Sequence, residues 1–133
     1  MATELIRSYT DLRVWQRGMD LVEAIHVTTQ SFPKHEIYGL TSQVRRAAVS
    51  IPANIAEGHS REHTKEFRNF LSMAQGSISE LETELEIAAR LGYLPVEQFS
   101  RLMPQVAGLA KQVRALREAL AKRIAAQAKA TRN

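Results

Sequence analysis

The side chains best placed to do chemistry in this chain are cations crowded toward its end. Residues 101–133 carry 8 Lys and Arg against Glu118 alone, while the first hundred residues carry 10 against 13 Asp and Glu. The formal charge of +4 therefore belongs to the last quarter of the 133 residues. Lys111, Arg114, Lys122, Arg123, Lys129 and Arg132 make an array suited to phosphate, because a phosphate backbone is bound by charge and counterion release and tolerates loose spacing. No aromatic residue interleaves with them, so stacking on bases is not expected and sequence preference should be weak. The same array also reads as a solvated helix face ending in a basic tail.

Other chemistry lacks its residues. A di-iron site in a helical bundle takes two Glu-x-x-His motifs and two further glutamates; Glu23 with His26 is one such motif and has no second. His59 and His63 have ligand spacing but straddle the glycine that should close a helix. There is no cysteine, which removes thiolate catalysis, disulfides and cysteine–zinc sites and fits a reducing compartment. The six glycines are scattered, so nothing cradles a phosphate. The serines lie on helix faces or ends and assemble no Ser-His-acid set. Trp15 and Phe67 read as core. The expectation is a protein that is not an enzyme and takes no metal and no cofactor.

From Ala47 to Ala56 there is no charge at all, and Pro52 lies inside the run. A surface helix shows one apolar stripe, so one that is small or apolar all round must be covered on more than one side. A second copy of the chain is the simplest cover. Ala47, Ser50, Ala53 and Asn54 are the candidate contacts. Arg45 and Arg46 flank the run on one side and Glu57 on the other, an arrangement that favours a salt bridge or subunit contact over a ligand site. Asn54 should satisfy backbone groups that the proline frees.

These residues need helices to position them, and the spacing supplies four. The first starts near Thr10 or Asp11 and shows Leu12, Trp15, Met19, Val22, Ile25, Thr29 and Phe32 on one face; Pro33 ends it. The second runs from about Lys34 to a left-handed stop at Gly58, with a kink at Pro52. The third starts near His63 or Thr64, carries Phe67, Leu71, Ala74, Ile78, Leu81, Leu85 and Ala88, and ends at Gly92. Gly76 is expected to admit a neighbouring backbone. The fourth opens at Pro95, carries Phe99 to Ile124 in steps of three and four, and Pro104 bends it or delays its regular start. Nothing reads as a strand. Short loops force antiparallel neighbours, so the fold class is all-α, an up-down-up-down four-helix bundle. The expected organisation is an N-terminal extension over 1–10, the bundle over 11–126 and a frayed basic tail over 127–133. No stretch approaches a membrane span and no apolar signal region opens the chain, so the expected location is cytoplasmic.

Several stretches together resemble one bacterial family. They include Asp11-Leu-Arg-Val-Trp15, Phe32-Pro-Lys-His-Glu36, Ser50-Ile-Pro-Ala-Asn-Ile-Ala-Glu-Gly58 and Leu91-Gly-Tyr-Leu94. The pattern is similar to the four-helix-bundle proteins encoded in 23S rRNA intervening sequences, over about residues 11 to 94. The accessory variability protein of diversity-generating retroelements looks like a relative. His26 departs from the tyrosine the family often has there. The resemblance implies an all-α bundle in a ring of five identical subunits, so a homopentamer is expected. It implies RNA or DNA as a partner by analogy with the retroelement relatives. A protein partner without nucleic acid is the alternative.

Overall fold

A computed structural model describes residues 6–132, so the first five residues and Asn133 lie outside the description. Four α-helices run in sequence: α1 Arg13–Thr29, α2 Leu40–Ser60, α3 Thr64–Arg90 and α4 Val96–Arg132. Among the described residues there is no strand. α2 packs against α1 and α3, and α3 against α4, in an antiparallel bundle. Its centre is aliphatic: Leu21 and Ile25 from α1, Val44, Ile51 and Ile55 from α2, Leu71, Ile78, Leu81 and Leu85 from α3, and Val106, Leu109 and Val113 from α4.

The start of α1 differs from the expected one. Ser8 caps a 3-10 turn over Tyr9–Asp11, and Asp11 accepts the backbone N–H groups of Arg7 and Ser8 at 2.8 and 3.3 Å. Part of the expected extension is thus folded onto the bundle, with Tyr9 packed on Trp15 at 5.5 Å between ring centroids. The buried face of α1 is also turned. Val14, Gly18, Leu21, Ile25 and Thr29 face inward, while Met19 is exposed and Trp15 and Val22 lie on the flank. Both stripes fit a helical period and meet at Ile25. Close approach decides between them, because a Cβ on Gly18 would lie 3.3 Å from Cβ of Pro52. Only the glycine face lets α1 settle on the proline of α2.

Lys34–Glu36 form a separate 3-10 turn, and α2 begins at Leu40 rather than Lys34. Glu36 makes that start. One carboxylate oxygen accepts the backbone N–H of Leu40 at 3.1 Å and the other accepts the Tyr93 hydroxyl at 2.9 Å. This clips the α1–α2 loop to the α3–α4 loop. The two hydrogen bonds hold the Glu36 carboxyl below its ordinary pKa, while the acidic partner raises that of Tyr93.

Three glycines behave differently from one another. Gly58 does not stop α2; it is buried inside the helix, where a Cβ would come within 2.5 Å of Cβ of Phe70. α2 and α3 approach closely there. The chain reverses later, with Glu62 at φ +65°. Gly76, expected to admit a neighbour, is exposed with nothing within 4 Å. Gly92 ends the α3 segment at φ +79°, as its position after the periodic run predicts.

α4 continues through Arg132, where a frayed tail is expected from residue 127. Leu120 is its last buried residue, and from Ala125 onward every described residue is exposed. Alanine has the highest helix propensity, which explains a helix that outlasts its packing.

Candidate nucleic-acid interface

Lys111, Arg114, Lys122, Arg123, Lys129 and Arg132 are all exposed on α4. At 3.6 residues per turn, five of them fall within roughly 80° of the helix surface, and Arg123 lies about 100° outside that stripe. The stripe runs about 32 Å from Lys111 to Arg132 at 1.5 Å per residue. Glu118 sits in its middle. Among the described residues the ion pairs are Arg61 with Glu57 and Glu66, and Arg90 with Glu86. None uses a cation of α4. No described acid holds a cation of the stripe in an ion pair, although Glu82 shares the groove of Lys111 and Arg114 and Glu118 lies one turn from Arg114 and Lys122.

Its two ends differ. Lys111 and Arg114 border an open groove of about 340 Å³ with Glu82 of α3. Further along, Arg117 donates to Gln75 Oε1 and joins α4 to α3. Nε of Arg117 and Nε of Arg68 are both buried without a hydrogen-bond partner. Neither arginine stands out in a reading of α4 alone. The signal is the seven-residue spacing of Arg68, Gln75 and Glu82, which places all three on one face of α3.

The second-helix candidates separate. Ala47 is buried. Ser50 Oγ donates to the Ala47 carbonyl at 2.9 Å and lies 2.6 Å from Ser77 Oγ of α3. Asn54 donates to the Ser50 carbonyl at 2.8 Å. That is not the carbonyl of Ala48 which Pro52 leaves without an N–H, so the expected repair is not the one made. Ala53 is exposed and lies one turn from Val49, itself 52% exposed. With the Ser50–Ser77 contact setting the register, Met73 (55% exposed) and Gly76 on α3 stand level with them. A small apolar patch thus spans the outer sides of α2 and α3.

Arg45 and Glu57 do not pair. They are twelve residues apart on one helix, roughly 18 Å along the axis. Arg45 Nε donates to Thr29 Oγ1 at 2.8 Å, and Glu57 takes Arg61 at 2.8 Å. His59 packs edge-on against Phe67 at 5.5 Å, and Arg61 covers the Phe70 ring at 5.3 Å. Glu23 and His26 are exposed on α1. Among the described residues no group of three or more His, Asp or Glu could hold a metal. A groove of about 860 Å³ lies open between α1 and α4 with Asp20, Glu23, Gln98 and Arg101 among its lining. Its one serine hydroxyl, Ser31, donates to the Thr28 carbonyl at 3.0 Å and not to a carboxylate. Among the described residues no helix is long and apolar enough to cross a membrane.

The profile of the 23S rRNA-intervening sequence proteins matches residues 10–115. A crystallised protein of unknown function from the S23 ribosomal protein family of Bacteroides thetaiotaomicron shares the fold, with a TM-score of 0.70 and 22% identity over 77% of this chain and 96% of that one. No curated protein matches. The match of the family profile, which runs from the start of the bundle into α4 and covers most of the chain, establishes that the chain belongs to the 23S rRNA-intervening sequence protein family.

Proposed function

We propose that this chain is a non-enzymatic, homo-oligomeric helical scaffold that binds nucleic acid through the basic side of α4. One observation carries the nucleic-acid part: Lys111, Arg114, Lys122, Arg123, Lys129 and Arg132 are exposed, and among the described residues none is ion-paired. Such a surface attracts polyanions, and the affinity should fall steeply with salt. The test is titration of nuclease-treated protein against a structured RNA and a duplex DNA at several salt concentrations. Submicromolar binding with a log–log slope of several units supports the proposal; no binding at low salt refutes it.

The oligomeric part rests on the patch of Val49, Ala53, Met73 and Gly76. Five copies in a ring is the arrangement the family resemblance implies. Ala53→Arg should lower the native mass to that of the monomer, since an unpaired charge would be buried in the contact. An unchanged mass for that variant removes the patch as an interface.

A second reading, a protein-interaction module without nucleic acid, is favoured by the opposite pole. Tyr38 is 96% exposed, with Ile37, Leu91 and Val96 also exposed in the two loops that Glu36 and Tyr93 join. A partner docked on these groups would bind with little dependence on salt.

A further inference from the structure

The charge of α4 is not used evenly along its length. The Arg117–Gln75 bond fixes the register between α3 and α4. From that point α4 runs forward to Arg132 as α3 runs back to Thr64. Glu82 and Arg68 lie seven residues to either side of Gln75, so both keep to the face of α3 that meets α4. Glu82 borders Lys111 and Arg114. Arg68 stands level with the turns of α4 that follow Arg117. On that side of α4 the next residues are Ala121 and Ala125, whose small side chains leave room beside a guanidinium. The seam therefore begins with opposite charges and ends with like ones.

Arg68 and Arg117 are both half-buried, and among the described residues neither has a partner for its buried Nε or a carboxylate within ion-pair distance. A partly desolvated guanidinium with no counter-charge is costly, and an oxyanion relieves that cost. Arg also suits phosphate well, because its planar fork offers several donors; in Arg117 one Nη already donates to Gln75, so an oxyanion would take the other. Lys122 and Lys129, seven residues apart, add exposed positive charge along the outer edge of the same helix.

We propose that the end of the α3–α4 seam is a phosphodiester-binding site, with Arg68 and Arg117 as anchors and Lys122 and Lys129 as its rim, and that Lys111 and Arg114 contribute little because Glu82 stands beside them. This rests on the nucleic-acid reading and narrows it. It also names the class of ligand. Among the described residues the one exposed aromatic is Tyr38, at the opposite pole, so the site reads the backbone of a duplex and not its bases.

The experiment compares two double variants of the full chain, Arg68→Gln with Arg117→Gln and Lys111→Gln with Arg114→Gln. Each is titrated with a mixed-sequence RNA duplex two helical turns long. The seam variant is expected to lose roughly thirtyfold or more in affinity, with the salt slope lower by about two; the Lys111 and Arg114 variant should lose less than about threefold. Equal losses, or a larger loss from Lys111 and Arg114, overturn this inference and leave the broader one standing. No binding by the unaltered protein overturns both. If the Gln variant fails to fold, Arg68→Lys with Arg117→Lys keeps the charge and removes the fork. That pair should weaken binding about tenfold with the slope unchanged; full affinity refutes the anchoring role.

Discussion

Glu84→Gln should stabilise this protein at neutral and higher pH and do nothing at acid pH. Glu84 lies on α3 only 5% exposed, and neither carboxylate oxygen has a hydrogen-bond partner. Burial, followed by repulsion from Glu80, pushes its pKa from the ordinary 4.5 to about 7. The folded state therefore holds the proton more tightly than the unfolded chain does. Below about pH 4.5 both states are protonated and the residue is neutral to folding. As the pH rises from 4.5 to 7 the unfolded chain ionises first, so stability falls, and above 7 the whole burden is present. Each decade is worth about 1.4 kcal/mol, so the burden is at most about 3.5 kcal/mol, and solvent relaxation around the carboxylate brings it nearer 2. The glutamine variant should gain about 2 kcal/mol at pH 8 and match the parent within about half that at pH 4.5. Urea unfolding at pH 4.5, 6 and 8 measures both. A difference that does not change with pH, or a loss of stability at pH 8, refutes the reasoning.

Gly58→Ala should destabilise the fold by about 1–3 kcal/mol, because the added Cβ meets the Phe70 side chain at 2.5 Å and the helices must part; a gain in urea midpoint would show that the seam yields freely. Tyr93→Phe removes the bond that joins the two loops and one of the two that hold the Glu36 carboxyl below its ordinary pKa. A depressed carboxyl supports the fold above its ordinary pKa and stops doing so as the pH falls through the depressed value. The variant should unfold at a higher pH on acid titration, followed by circular dichroism, and an unmoved acid midpoint would count against the clip.

The architecture was legible in the sequence because helical period, loop length and punctuation all agree on it. Gly92 and Pro95 lie where helices stop and start, and the α3 series from Leu71 to Ala88 is buried as its spacing requires; α1 stops at Thr29, so Phe32 and Pro33 lie beyond it. What failed depends on contacts between helices. The face of α1 is set by Gly18 meeting Pro52, a pairing that no period within α1 can reveal. A glycine at the end of a helical run looks the same whether it reverses the chain or admits a phenylalanine, so Gly58 was misread and Gly76 was given the close approach that Gly58 makes. The candidate cations were readable as a charge imbalance. Their uneven surroundings were not, because Glu82 and Arg68 belong to another helix and reach α4 through the register of the bundle.

If α4 binds a polyanion as proposed, its exposed end shapes how that partner is engaged. From Ala125 to Arg132 every residue is exposed, and a helical segment of this length with little packing sits close to balance between helix and coil. Its backbone can therefore be reshaped at little cost by whatever it meets. An Ala→Gly change there would raise the entropy lost on capture while leaving the melting of the bundle untouched, so affinity could be tuned across about 12 Å of arm independently of the stability of the fold.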